Sequence, residues 1–169
     1  PISFHHVASN ITDAIEIRKP VIFCAVEYEA KAVRAALAGC ETICIYTIGI
    51  RACHIPQNPQ VSEISAIIMA GFAGALDPSL HVGDVVLDEL SDTNSSLPKV
   101  KMHCAGELIC TPSQRVAIRQ STGAAVVEME NDRVRDFAKQ LGVPYIGIRA
   151  ISDTADQTLD PAMLQIVND

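Results

Sequence analysis

The sequence predicts an α/β fold, a three-layer α/β/α arrangement around a mixed, largely parallel central sheet, on three observations. Short β-branched, uncharged runs alternate with stretches whose apolar residues recur at three and four. Trp is absent, and Phe 4 plus Tyr 3 leaves a core of Ile, Val, Leu and Ala, the composition of a sheet buried on both faces. The 169 residues are room for one such domain and not for two.

Residues 1–19 read as an N-terminal extension and 20–169 as a single domain. PVIFCAV (20–26) is a strand that passes directly into a helix, EYEAKAVRAALAG, ended by Gly39. TICIYTIGI (42–50) is a second strand closing on Gly49, and the two prolines of RACHIPQNPQVSEI keep any helix there short or distorted. SAIIMAG (65–71) is a third strand, which enters a small-residue turn, GFAGALDP. GDVVLDEL (83–90) is a fourth, and SDTNSSLP (91–98) is a surface loop by composition. VKMHCAGELI reads as a hairpin or one long bent strand. TPSQRVAIRQ is a helix with Thr111 as N-cap and Pro112 at its first position. AAVVEME (124–130) is a strand running into a helix, NDRVRDFAKQLG, that Gly142 stops. PYIGIRAIS (144–152) is the last strand, and DTAD follows it.

Composition argues against some roles. With 20 Asp+Glu against 13 Lys+Arg the net charge is -7, so a nonspecific grip on nucleic acid or anionic lipid would work against the protein's own field. The longest uncharged run, Ile64–Leu76, contains two glycines and falls short of the roughly 18 residues of a membrane span. The segment PISFHHVASN lacks the basic and apolar regions of an export signal, so the expected location is cytoplasmic. Cys24, Cys44, Cys104 and Cys110 lie in apolar or β-like runs, which predicts buried free thiols. Cys53-His54 and His103-Cys104 lack zinc-site spacing, so no metal is expected.

In open α/β sheets, ligands bind outside the carboxyl ends of the strands. Acids stand at three such ends: Glu27 and Glu29 after the first strand, Glu128 and Glu130 after AAVV, and Asp153 after GIRAIS. Each alone is as readily a helix cap or a dipole-complementing acid. Their convergence beside GFAG points instead to a site.

These residues resemble the nucleoside phosphorylase and nucleosidase superfamily, which includes purine nucleoside phosphorylases and methylthioadenosine/S-adenosylhomocysteine nucleosidases. GFAGALDPSLHVGDVVL (71–87), VVEMENDRVRDFAKQLGVPYIGIRAISDTAD (126–156) and AVEYEAKAV (25–33) carry the match. The run TPSQRVAIRQSTGAAVVEME and the turn FAGALDP are most similar to the hopanoid-associated phosphorylases, a subgroup proposed to remove adenine from an adenosylated lipid. The resemblance implies cleavage of the N-glycosidic bond of a purine nucleoside or a derivative, in a homodimer, without a cofactor other than phosphate as a co-substrate.

Residue by residue, Asp153 resembles the general acid that protonates the purine N7 as the bond breaks. A purine anion is a poor leaving group, and a positioned acid contributes about 10² to 10⁴ in rate. Glu130 matches the acceptor of the ribose 2′ and 3′ hydroxyls, with Met129 packing on the sugar face. Glu29 matches the acid that activates water in hydrolytic members. Gly71, Phe72, Ala73 and Gly74 match the turn whose backbone lines the base or nucleophile site. Arg51 is the basic residue after a strand end that could meet phosphate, and it reads equally as a surface arginine. Met69 stands where phosphorylases carry an Arg, and the first strand lacks G-D-x-x-R. Those departures and Glu29 favour water as nucleophile.

The chain also looks shortened against the resemblance. Only 40 residues (87–126) separate GDVV from VEME, no aromatic occurs from 73 to 136, and 16 residues follow Asp153. A purine pocket open on its base side is therefore expected. Three readings stay open: a nucleosidase or phosphorylase, a weak or inactive nucleoside-binding homologue (or one completed by a partner subunit), and a purely structural protein.

Overall fold

The structure, a computed structural model, describes residues 20–40, 43–56, 64–160 and 162. The expected extension 1–19 lies outside the described residues. Among the described residues eight strands form one sheet: β1 (Pro20–Cys24), β2 (Cys44–Thr47), β3 (Ala66–Ala75), β4 (Val85–Asp88), β5 (Lys99–Val100), β6 (Met102–Cys104), β7 (Val126–Glu128) and β8 (Tyr145–Asp153). The path runs β2-β1-β3-β8-β4-β5, with β7 beside the end of β3 and β6 beside β7. Pairing is parallel except β4 with β8 and β3 with β7, which gives the mixed, largely parallel sheet that the sequence predicts.

Among the described residues three helices cover it: α1 (Glu27–Ala36), α2 (Pro112–Thr122) and α3 (Asn131–Leu141). Alternation along the strands sorts the core into two faces. Ile22, Cys24, Ile68, Ile146 and Ile148 pack under Ala30, Val33 and Leu37, on the α1 side. Val21, Phe23, Ile67, Met69 and Tyr145 pack under Val134 and Ala138 of α3. Thr111 caps α2 through Oγ1, which accepts from Gln114 N at 3.3 Å. Gly123 and Gly142 stop α2 and α3 in the left-handed region, at φ 71° and 67°. Helix α1 ends at Ala36 with Leu37 as its cap, and Gly39 turns the chain two residues later. Among the described residues no helix is long and apolar enough to cross a membrane.

Four expectations need correction. GFAG is not a turn: Gly71, Phe72, Ala73 and Gly74 continue β3, because β8 pairs with this strand as far as Gly74. VKMHCAGELI is neither a hairpin nor one strand, since β5 and β6 pair in parallel with different neighbours, β4 and β7. Among the described residues the second strand spans Cys44–Thr47, at the edge of the sheet beside β1, with mostly exposed side chains. Of the four cysteines expected inside, only Cys24 is buried; Cys44 is exposed on that edge, and Cys104 and Cys110 are half-buried.

Candidate active site

Glu29, Glu130 and Asp153 line one cavity of about 620 Å³ at the carboxyl ends of β1, β7 and β8. Phe72, Ala73, Gly74 and Met129 line it too, whereas Gly71 and Arg51 do not reach its surface.

Glu29 sits in the first turn of α1 and is buried. Its Oε2 accepts from Ala25 N (2.8 Å) and Val26 N (3.2 Å), and its Oε1 accepts from Phe72 N (2.8 Å). Burial pushes its carboxyl above the usual range, against the opposing effect of the nearby Arg149 guanidinium and those N–H donors. Gly71 earns its place by having no side chain: a Cβ there would stand 2.5 Å from Glu29 Oε1 and 2.8 Å from Arg149 Nη1.

Glu130 is held from two sides. Its Oε1 accepts from Arg51 N at 3.0 Å and its Oε2 from Arg149 Nη2 at 3.2 Å. Beneath it, Glu128 Oε2 accepts from the backbone N–H of Glu130 and of Asn131, both at 2.7 Å, and from Arg149 Nη2 at 2.8 Å. Burial raises the Glu128 carboxyl in the same way as that of Glu29. Arg149, fully enclosed, is the cation shared by this group.

Arg51 contributes through its backbone. It lies in a turn with φ 59°, followed by Ala52 at 51°, and its guanidinium reaches Gly106 O at 3.4 Å. A left-handed conformation costs a non-glycine residue about 1–2 kcal/mol. Arg51→Gly is therefore expected to stay within about 1 kcal/mol of the parent in thermal unfolding, since strain relief and added chain entropy offset one another. Arg51→Pro, which loses the N–H and requires negative φ, is expected to cost about 3 kcal/mol. Equal stability of the two variants would remove the turn from this role.

Asp153 ends β8, where a bulge between Ala73 and Gly74 sets it opposite Gly74. Its Oδ2 forms an ion pair with Arg115 of α2, and Oδ1 accepts from Ser152 Oγ at 2.6 Å. The buried Arg115 is fixed in turn by donating to Ala75 O (3.1 Å), Thr154 O (3.1 Å) and Ile109 O (3.3 Å). A Cβ on Gly74 would lie 2.8 Å from Asp153 Oδ2 and 2.9 Å from Arg115 Nη1. Gly74→Ala is expected to displace that pair and lower turnover about 10-fold or more, a loss larger than its effect on melting accounts for. Unchanged turnover would mean that the pair tolerates the shift.

The sequence assigned no role to Arg115, Arg149 or Tyr28, and marked Glu128 only as one of the acids at a strand end. Arg149 carried a signal, because an arginine inside the apolar run IGIRAIS must be paired once that strand is central. Tyr28 stacks on Phe72, with ring centroids 6.1 Å apart and planes 29° apart, and both line the cavity. The aromatic surface missing from 73–136 is thus supplied by residues outside that segment. Among the described residues, no group of three His, Cys, Asp or Glu side chains could hold a metal ion.

Comparison with known proteins fits this geometry. Residues 88–167 match the family model described as Phosphorylase superfamily. A 5′-methylthioadenosine/S-adenosylhomocysteine nucleosidase from an Exiguobacterium species is 30% identical over 93 residues, covering 52% of this chain and 40% of that protein. The chain therefore spans well under half the length of the curated relative that it matches. Among solved structures, the corresponding nucleosidase of Neisseria meningitidis with methylthio-immucillin-A superposes with a TM-score of 0.71 at 17% identity, covering 89% of this chain and 92% of that one. Futalosine hydrolase of Helicobacter pylori gives 0.67 at 15% identity, covering 83% and 87%. The described residues thus share the α/β fold of these solved structures, and the stretch that matches the Phosphorylase superfamily model, residues 88–167, holds Arg115, Glu128, Glu130, Arg149 and Asp153.

Proposed function

We propose that the protein cleaves the N-glycosidic bond of a purine nucleoside or a derivative, with water as the nucleophile. The observation that carries this reading is the convergence of Glu29, Glu130 and Asp153 on one cavity, each held by fixed donors. The C1′–N9 bond breaks and its electron pair leaves with the purine, while N7 receives a proton that the Asp153 carboxylate, ion-paired with Arg115 in the resting protein, first takes up from solvent. Glu130 accepts the ribose hydroxyls and sets negative charge beside the developing cation. The water oxygen bonds to C1′, and Glu29 takes the proton that water loses. A carboxyl raised by burial is better matched to that task near neutral pH than an exposed one.

Val26, Tyr28, Ile50 and Leu108 add apolar surface to the cavity wall. That lining favours a nucleoside with an apolar 5′ substituent, the class to which an adenosylated lipid belongs.

Incubation with adenosine and 5′-methylthioadenosine, with and without phosphate, tests the reading by chromatography of the products. Free adenine with an unphosphorylated sugar in both conditions is expected. A sugar 1-phosphate formed only with phosphate would reassign the nucleophile. A nucleoside that raises the melting temperature without being cleaved would leave a binding protein instead.

A further inference from the structure

A second polar cluster adjoins the carboxylates, behind the residues that line the cavity. Asp88 at the end of β4, Asn131 at the start of α3 and Tyr145 at the start of β8 are all buried. Asp88 Oδ2 accepts from Tyr145 OH at 3.2 Å and Asn131 Nδ2 at 3.3 Å, with Arg135 Nη1 at 3.8 Å. Gly147 leaves the space for it. A Cβ there would overlap the Tyr145 hydroxyl and stand 3.1 Å from Asn131 Nδ2. Burying an asparagine is costly unless both ends of its amide are used. Here both are: Nδ2 faces Asp88 and Met102 Sδ (3.3 Å), and Oδ1 accepts from Arg149 Nη2 at 2.7 Å. The Asp88 carboxylate dictates that orientation, because the flipped amide would set oxygen against oxygen and NH₂ against a guanidinium.

Arg149 Nη2 has two N–H groups and three acceptors around it. Asn131 Oδ1 at 2.7 Å and Glu128 Oε2 at 2.8 Å take the short bonds, which leaves Glu130 Oε2 the long one at 3.2 Å. We propose that Asn131 is a positioning residue: by engaging Arg149 it keeps the Glu130 carboxylate from closing on the guanidinium and free to accept a pair of ligand hydroxyls. This rests on the reading of Glu130 as the ribose acceptor. Without the Asn131 oxygen, Nη2 gives a full N–H to Glu130, and that carboxylate turns toward a charge pair and away from the diol.

The test compares adenosine with 3′-deoxyadenosine, which lacks one of the two hydroxyls. Asn131→Leu is expected to raise KM for adenosine about 10-fold, with a change of under about twofold for the deoxy compound. Equal losses on both compounds would reduce Asn131 to a structural part and overturn the proposal. Asn131→Asp sets a carboxylate against Asp88 and is expected to be impaired. Adding Asp88→Asn restores one donor facing one acceptor, so the double variant should recover the KM difference between the two nucleosides; no recovery also overturns it. If the parent protein cleaves neither nucleoside, the catalytic reading fails by itself. The positioning is then read from stability: the melting shifts of Asn131→Leu and Glu130→Gln are expected not to add, because both act on Arg149, and additive shifts would sink the idea.

Discussion

Asp153→Asn is expected to slow base release by about 10² to 10⁴-fold, the contribution of a positioned general acid. Two effects are mixed in that variant, because Arg115 is buried and loses its anionic partner. An uncompensated buried charge destabilises by itself. Three backbone carbonyls still hold the guanidinium, so part of its stabilisation remains. The double variant Asp153→Asn with Arg115→Met separates the effects. Removing both charges is expected to return the melting temperature toward that of the parent while base release stays low. Recovery of turnover along with stability would take the proton-transfer role away from Asp153 and leave it a structural ion.

Arg149→Met is expected to cost about 3–5 kcal/mol of stability at neutral pH, because it strands buried carboxylates without their cation. Glu128 and Glu130 lose a direct partner and Glu29 a nearby positive charge. The loss should depend on pH in a definite direction. In the folded protein, burial holds the Glu29 and Glu128 carboxyls above their ordinary value of 4.5. The folded state then keeps protons that the unfolded chain releases, so this contribution is fully present below pH 4.5 and is lost as pH rises through the folded values. Arg149 lowers both groups, so its removal raises them further and widens that window. Denaturant titrations at several pH values should show the variant approaching the parent as pH falls toward 4.5. A deficit constant over that range would mean that Arg149 stabilises by packing rather than by charge.

The order of elements and the placement of the acids were legible in the sequence because both are local properties. A β-branched run followed by period-3.6 residues specifies a strand feeding a helix, and an acid just past the strand lands at its carboxyl end. This is why Glu27, Glu29, Glu128, Glu130 and Asp153 could be placed at strand ends beforehand, and all five line one cavity; the choice of Glu29, Glu130 and Asp153 among them came from the resemblance. The glycine segment was misread because glycine serves two ends. It permits unusual φ, and it permits close approach. Gly71 and Gly74 serve the second, and only the positions of Glu29, Arg149, Asp153 and Arg115 distinguish the two.

The sequence by itself thus determined the layer architecture, the strand ends that carry acids and the scarcity of aromatics in one segment. Tertiary structure alone decided which cation meets which acid. Arg115 in α2 pairs with Asp153 at the end of β8, and the Arg51 N–H reaches Glu130 across 79 positions. Such pairings depend on sheet order and on the β3–β8 register, down to the single bulge that sets Asp153 against Gly74. Buried charge must be neutralised wherever the fold brings it, and that place is a property of the packed sheet rather than of any stretch of chain.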